Sequence, residues 1–216
     1  MWHRLMDLIF PPKCVLCKKL LGPEETDLCH TCRADAPVFT KSKKSIPFVA
    51  RWTAVWYYKD DVRLSLIRFK FRNHRSYALS YGKVLAMTIA ENFEDFDIFT
   101  WVPTGFLRKL RRGYDHALLL ANATAQEMNI EPVCTLKKIR QAPPQSKISD
   151  SAKRRANILG AYRVLEPEQV AGKRILLLDD IVTTGATAGE CARMLMTAGA
   201  KEVFCVAVAA TEQKKK

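Results

Sequence analysis

The segment Leu176–Gly189 combines an apolar run, two adjacent acids and a hydroxyl-rich turn. The acids are Asp179 and Asp180, and the residues that follow include Thr183, Thr184, Gly185, Ala186 and Thr187. Backbone N–H groups and threonine hydroxyls in such a loop can surround a phosphate monoester. Carboxylates beside it suit ribose hydroxyls, directly or through Mg2+. An aspartate at a strand end can also simply cap the next helix, but the whole string predicts a site for a ribose-5-phosphate group.

Four cysteines near the N-terminus form two Cys-x2-Cys pairs, Cys14 with Cys17 and Cys29 with Cys32, separated by eleven residues. Two such pairs can complete a tetrahedral sulfur site, and a closed site of this kind is structural rather than catalytic. Four unrelated thiols or a redox pair are the alternatives, which the double pair at this spacing disfavours. The segment is too short to fold on apolar burial alone, so zinc would supply much of its folding energy. The other cysteines, Cys134, Cys191 and Cys205, are expected in the core.

The phosphate string requires particular elements around it. Ile175–Leu178 is predicted as a buried strand, Thr187–Ala198 as a helix and Val203–Ala209 as a second strand. This order is a βαβ unit, which closes right-handed onto a parallel sheet. Ligands of such sheets bind beyond the carboxyl ends of the strands, where we expect Asp179 and Asp180.

The remaining chain supplies the rest of an α/β sheet. Further strands are predicted at Thr53–Tyr58, Ile98–Val102 and Val133–Leu136, and helices at Trp2–Phe10, Asp61–Phe71, Tyr77–Phe93 and Asp115–Met128, with a polar, basic arm at Gln141–Arg155. We therefore expect an amphipathic helix and a zinc module over 1–36, a connector over 37–52, and an α/β domain over 53–213. Helices should cover both faces of its parallel sheet.

The chain is strongly basic, with 35 Lys and Arg against 22 Asp and Glu and a formal net charge of +13. This excess predicts a polyanionic partner, although a basic surface can also serve solubility alone. Cations interleaved with rings suit single-stranded DNA; the candidates are Arg68, Lys70, Arg72, Lys147, Arg154 and Arg155. Helical phenylalanines such as Phe69 and Phe71 are more often core, and some cations would serve a diphosphate. The number of cations exceeds what a diphosphate needs, which favours a polymer.

No apolar stretch reaches the length of a membrane span, and the first ten residues do not form a signal peptide. We therefore expect a cytoplasmic protein with reduced thiols.

The whole chain resembles the ComF family, the ComFC and GntX-like proteins associated with DNA transformation. The shared motifs are Phe10-Pro11-Pro12-x-Cys14, the four-cysteine pattern, Phe69-Lys70-Phe71, Val102-Pro103, Arg112-Gly113-Tyr114-Asp115-His116, Gln145-Ser146, Arg154-x-x-Asn157-x-x-Gly160-Ala161-Tyr162 and the phosphate string. One departure is visible, because the family commonly has Arg-Gly-Phe-Asn-Gln where this chain has Asp115 and His116. Any role that the Asn-Gln pair carries is in question here.

The resemblance implies a type I phosphoribosyltransferase-like domain and roles for matching residues. Asp179 and Asp180 would contact the ribose 2- and 3-hydroxyls, and Thr183–Thr187 would hold the 5-phosphate. The pyrophosphate loop would comprise Pro103, Thr104, Gly105 and Arg112. Structural Zn2+ is expected, together with Mg2+ on a diphosphate ligand.

The resemblance also implies a function. We expect a competence-type protein for natural transformation that binds single-stranded DNA and phosphoribosyl pyrophosphate, or a related ribose-5-phosphate ligand. Partners would be proteins of the DNA-uptake machinery, and a homodimer is expected by analogy. The alternative is an active phosphoribosyltransferase that transfers ribose-5-phosphate to an unknown acceptor and releases pyrophosphate. A third reading is a regulator that senses a sugar phosphate.

Overall fold

The computed structural model describes residues 11–40, 45–106, 109–110, 113–140 and 157–212. The predicted helix Trp2–Phe10 and the basic arm Gln141–Arg155 lie outside these residues. Outside them too are four of the predicted site residues: Arg112, Lys147, Arg154 and Arg155.

Strands and helices alternate along most of the described chain. The strands are β1 (Arg51–Tyr57), β2 (Ile98–Trp101), β3 (Leu136–Lys138), β4 (Tyr162–Val164), β5 (Arg174–Val182) and β6 (Glu202–Ala210). The helices are α1 (His30–Asp35), α2 (Asp60–Phe71), α3 (Tyr77–Asn92), α4 (His116–Met128), α5 (Pro167–Val170) and α6 (Ala186–Thr197). Within the described ranges, no helix has the length and apolar character that crossing a membrane requires.

The main sheet is parallel, with strand order β1-β6-β5-β2. Its two central strands, β5 and β6, are near-continuous apolar runs because both of their faces are buried. Alternation along β5 turns Leu176 and Leu178 to the core shared with α2, α3 and α4, and Ile175 and Leu177 to the core shared with α6. The predicted parallel sheet with helices on both faces is thereby confirmed.

Strand β5 is longer than predicted. The sequence placed its end at Leu178, but the strand continues to Val182 because β6 pairs with it throughout, Asp179 opposite Ala207 and Ile181 opposite Ala209. Strand β2 ends earlier, with Trp101 opposite Leu178. The two acids therefore lie within β5, but beyond its last pairing with β2.

The strand predicted at Val133–Leu136 is wrong in position. The Val133 N–H donates to the Phe99 carbonyl at 2.8 Å, and the chain then leaves the sheet to form β3. Its antiparallel partner is β4, which begins at Tyr162 and was not predicted. Cys134 beside it is exposed rather than in the core, whereas Cys191 and Cys205 are buried as expected.

The N-terminal segments pack closely on the sheet domain. Residues of the predicted connector pair with the edge strand β1, where the Phe39 N–H donates to the Val55 carbonyl at 3.0 Å. Val15 and Leu16 of the cysteine module are buried in one cluster with Leu66 and Phe69 of α2. The division of the chain after residues 36 and 52 stays a prediction, but the module and the domain share one hydrophobic core.

Gly82 sets the separation of α3 and α4. A Cβ placed on Gly82 would lie 2.6 Å from the carbonyl carbon of Ala123, which is backbone and cannot move aside. We expect Gly82→Ala to lower the free energy of unfolding by about 1 to 3 kcal/mol through overpacking, although alanine favours a helix interior by about 1 kcal/mol.

Gly189→Ala in α6 is the matched control, because its nearest neighbour would be the Pro47 carbonyl oxygen at 3.3 Å. Urea unfolding of both variants measures the difference. Equal stabilities of the two variants would contradict the close contact at Gly82.

Candidate functional site

The four predicted cysteines converge in the structure. Their sulfur atoms all lie within 4.8 Å of one another, and Cys14, Cys29 and Cys32 are buried. Burial raises the pKa of the Cys14 thiol, but backbone N–H groups of Cys17, Cys29 and Leu16 outweigh it and lower the pKa to about 7. Four sulfurs in a closed cluster fit a structural zinc ion, which thiolates bind in tetrahedral geometry.

Helix α2 contacts the cysteine module directly. Arg68 is 9% exposed, and its guanidinium donates to the Leu16 carbonyl and, at 3.4 Å, to the Val15 carbonyl. The Ser65 hydroxyl also donates to the Val15 carbonyl, at 2.5 Å. Arg68 was predicted to contact nucleic acid, but its guanidinium is committed to these buried carbonyls. We therefore leave it out of the nucleic-acid surface proposed below.

The phosphate string forms the junction between β5 and α6. Gly185 is the N-cap of α6 with φ of 75°, a left-handed conformation that glycine adopts without strain. A Cβ at Gly185 would lie 2.9 Å from the Ile46 side chain, which covers the turn. The Thr184 hydroxyl accepts from the Ala186 N–H at 3.3 Å. A small hollow follows this turn, lined by Asp179, Ile181, Val182, Thr183, Gly185, Ala186, Thr187 and Ala188.

This geometry suits an anion. The N-terminus of a helix carries partial positive charge and presents backbone N–H groups that lack an intrahelical acceptor. The predicted phosphate residues therefore surround the start of α6 together, and Asp179 is brought to the same hollow.

The second acid, Asp180, points to the opposite face of β5. It shares that face with Leu178, towards α2 and α4, and both of its carboxylate oxygens are engaged there. Lys70 Nζ lies 2.8 Å from Oδ1, and His116 Nε2 lies 2.7 Å from Oδ2. Burial raises the pKa of Asp180, but the Lys70 charge and the His116 hydrogen bond outweigh it and hold the pKa well below its usual range.

The pKa of Asp179 is shifted in the opposite direction. Burial and the neighbouring Asp180 charge raise its pKa to about 7, and the more distant Lys70 charge only partly offsets them. Its Oδ1 accepts from the Asp180 N–H at 2.8 Å. The acidic pair is thus unequal, with one carboxylate whose pKa is lowered and one whose pKa is raised to about 7.

Comparisons with known proteins agree with both the four-cysteine cluster and the junction of β5 and α6. The phosphoribosyl transferase domain model matches residues 115–216, and the double zinc ribbon domain model matches residues 5–43. Competence protein F of Haemophilus influenzae is 21% identical over 88% of this chain and 93% of its own length. Competence protein ComFC of Bacillus subtilis is 25% identical over 83% of this chain and 82% of its own. Over most of its length the chain thus resembles competence proteins of the ComF type.

Two further similarities were found. DNA utilization protein YhgH of Salmonella typhimurium is 25% identical over 89% of this chain and 88% of its own length. Among solved structures, glutamine phosphoribosylpyrophosphate amidotransferase from B. subtilis has a TM-score of 0.46 and 22% identity, covering 66% of this chain and 30% of that one. The resemblance to competence proteins rests on the full-length relatives, not on this structural likeness.

The departure from the ComF motif at Asp115 and His116 has a clear structural outcome. Asp115 is the N-cap of α4, where its Oδ1 accepts from the Ala117 and Leu118 N–H groups at 3.2 and 3.4 Å. Aspartate and asparagine are equally good N-caps, so the substitution keeps this role. His116 instead brings a titratable ring to Asp180.

The predicted pyrophosphate loop lies at the same end of the sheet as Asp179, where the carboxyl ends of the parallel strands meet. Pro103, Thr104 and Gly105 come directly after β2, and the Val102 N–H still donates to the Leu178 carbonyl at 2.9 Å. The loop therefore starts beside Asp179, as parallel neighbouring strands require.

Two site residues were misread or missed from the sequence. Lys70 was assigned to nucleic acid because it stands in a basic stretch, yet its side chain is 15% exposed and lies against Asp180. His116 was noted only as a departure from the ComF motif. The signal that would have found both is the apolar helical face on which each side chain falls, because a polar side chain on such a face needs a buried partner.

The raised pKa of Asp179 predicts a pH dependence of stability. Folded Asp179 keeps its proton up to about pH 7, whereas the unfolded chain releases it near about pH 4. Between these values the folded state binds more protons, so the contribution of this group to the free energy of unfolding falls as pH rises. We expect Asp179→Asn to gain stability over the native chain as pH rises towards 7, by about 2 to 4 kcal/mol in all, and no further above it.

Urea unfolding from about pH 5 to about pH 8 measures this difference. Asp95→Asn is the control, because the Asp95 side chain is 73% exposed. A difference between Asp179→Asn and the native chain that stays constant over the range would contradict the assigned protonation.

Proposed function

We propose that the chain is a DNA-uptake or DNA-utilisation protein that holds a ribose-5-phosphate ligand and binds single-stranded DNA beside it. The names of three full-length relatives, Competence protein F, Competence protein ComFC and DNA utilization protein YhgH, support the cellular role. We further propose a cytoplasmic location and contacts with other proteins of DNA uptake.

The junction of β5 and α6 is the observation that carries the ligand proposal. The 5-phosphate would lie at the N-terminus of α6, held by backbone N–H groups and hydroxyls of Thr183–Thr187. Asp179 and Asp180 would accept hydrogen bonds from the ribose hydroxyls, with Asp179 on the side of the hollow. A diphosphate at the ribose C1 would reach the loop Pro103–Gly105 and Arg112, and Mg2+ would enter with that diphosphate.

Titration calorimetry tests this pocket with phosphoribosyl pyrophosphate and Mg2+. We expect the native chain to bind and the double variant Asp179→Ala/Asp180→Ala to lose at least about ten-fold in affinity, because the ribose hydroxyls lose their acceptors. Glu91→Ala/Glu94→Ala removes two exposed carboxylates elsewhere and should bind as the native chain does. Equal affinity of the native chain and the Asp179/Asp180 variant would remove the pocket from the proposal.

A basic surface lies next to the acidic pair. It consists of Phe71, Arg72, Arg75 and Tyr114, and it continues from the C-terminal end of α2, where Lys70 contacts Asp180. Phe71 is 56% exposed, and Arg72 and Arg75 are exposed beside it. The Arg75 guanidinium lies 4.7 Å from the centre of the Tyr114 ring, whose hydroxyl donates to the Phe69 carbonyl.

This arrangement supports binding of a single strand. Exposed cations contact backbone phosphates of any sequence, and exposed rings stack on bases. Arg72 remains a proposed DNA contact, while Lys70 is reassigned to the pocket. The surface and the pocket are adjacent, because Lys70 belongs to the pocket and the next residue, Phe71, belongs to the surface.

The proposed surface predicts salt-dependent binding of a single-stranded oligonucleotide. We expect Arg72→Ala/Arg75→Ala to weaken binding by about ten-fold and to lower the slope of log K against log salt by about 1.4, since each single-strand phosphate contact contributes about 0.7. Fluorescence anisotropy with labelled oligothymidylate measures both quantities.

Lys173→Ala/Lys201→Ala is the control. These exposed lysines precede β5 and β6 and therefore lie at the amino ends of the strands, opposite the acidic pair. A similar loss in the control would indicate nonspecific attraction to net charge. Failure of the native chain to bind at low salt would overturn the DNA half of the proposal and leave the pocket untouched.

One observation favours a second candidate, an active phosphoribosyltransferase. Asp179 has a pKa of about 7 beside the proposed ribose position, and groups that exchange a proton during a reaction commonly titrate in this range. Release of pyrophosphate that depends on one particular acceptor would establish the transferase, whereas no release across a broad acceptor panel would reject it.

A further inference from the structure

The position of Lys70 raises a question about metal at the acidic pair. Its ammonium lies 2.8 Å from Asp180 Oδ1, while His116 holds Oδ2 at 2.7 Å. The Lys70 and Asp180 side chains are 15% and 14% exposed, so this pair is largely withdrawn from water. Lys70 belongs to α2, outside the residues that match the phosphoribosyl transferase domain.

The surroundings of Lys70 fix its place. Phe69, one residue earlier, is fully buried, with its ring centre 6.2 Å from that of His116. Arg68 and Ser65, on the same helix, donate to the carbonyls of the cysteine module. The ammonium therefore meets Asp180 through a helix that is held on both sides, and not through a mobile surface side chain.

The charges near Asp180 are already balanced. A divalent cation binds where carboxylate oxygens are open and the local charge is negative. Here both Asp180 oxygens have donors, and burial with the Asp180 charge keeps a proton on Asp179 for part of the time at neutral pH. The ammonium of Lys70 compensates the remaining negative charge. The donor set at Asp180 therefore does not fit Mg2+.

We propose that Lys70 takes the place of a divalent cation at Asp180, so that the pocket binds the ribose-5-phosphate part of its ligand without Mg2+. The inference rests on the proposed pocket and sharpens it, since Mg2+ then serves only the diphosphate. Lys70 is a positioning residue in this scheme, because it acts on the ligand through the charge and orientation of Asp180.

Ribose 5-phosphate is the probe that separates the two uses of Mg2+, because it lacks the diphosphate. Calorimetry would compare the native chain with Lys70→Met, which keeps the length of the side chain and removes its charge, and with Lys70→Arg, which keeps the charge. Each protein is titrated in buffer freed of divalent ions by a resin and again with added MgCl2. No chelator is used, since it would also take the zinc.

We expect the affinity of the native chain to change by less than about two-fold on adding Mg2+. Lys70→Met should bind at least about ten-fold more weakly without Mg2+, and added Mg2+ should restore most of the loss, because Asp180 then has an open oxygen and no compensating charge. Lys70→Arg and the surface control Arg63→Met, at an exposed position of the same helix, should remain independent of Mg2+.

The outcomes separate this inference from the pocket itself. Native binding that requires Mg2+, or a Lys70→Met affinity that Mg2+ does not change, overturns the role of Lys70 while the pocket stands. A purely structural ion pair would lower the unfolding temperature of Lys70→Met and give no rescue by Mg2+. No binding of ribose 5-phosphate by the native chain in either buffer overturns both the pocket and the inference.

Discussion

Helix α2 is held between the cysteine module and the acidic pair, and the site depends on that constraint. On one side, Arg68 donates to carbonyls of the module. On the other, Lys70 meets Asp180. Leaving the buried guanidinium without its acceptors would lower the stability by about 3 to 5 kcal/mol, so separation of the helix from the module is strongly unfavourable. The four-cysteine cluster thus has a structural consequence at the acidic pair, because Arg68, which binds its loop, and Lys70, which contacts Asp180, lie two residues apart on one helix.

The same constraint explains the unequal acids. Two neighbouring carboxylates withdrawn from water repel each other, and each responds to what surrounds it. Asp180 is stabilised as an anion by a lysine and a histidine that different helices bring to it. For Asp179 the Lys70 charge is only a partial offset, and burial with the Asp180 charge raises its pKa to about 7. A pair that looks symmetrical in the sequence therefore consists of two carboxylates whose pKa values are shifted in opposite directions.

Local patterns made the phosphate junction predictable, whereas its partners required the fold. The apolar runs of β5 and β6, the glycine at the turn and the following helix are all encoded within one stretch of chain, and each was found close to its predicted place. Strand β4 is three residues long and pairs across the arm with β3, so neither length nor periodicity indicated it. The helical faces of Lys70 and His116 could be read from the sequence, but their shared partner could not, because they meet Asp180 only when α2 and α4 pack on the same face of β5.

Some of the residues that shape the pocket lie outside the phosphate string Asp179–Thr187. Ile46 packs where a side chain at Gly185 would stand, so a residue of the predicted connector limits the conformation of the phosphate turn. Lys70 comes from a helix that precedes the matched domain, which begins at residue 115. The string Asp179–Thr187 therefore accounts for the part of the site that is common to phosphoribosyl transferase domains. The charge at Asp180 and the packing over Gly185 are supplied by the first third of the chain, so the selectivity of this pocket should follow the N-terminal segments rather than the signature.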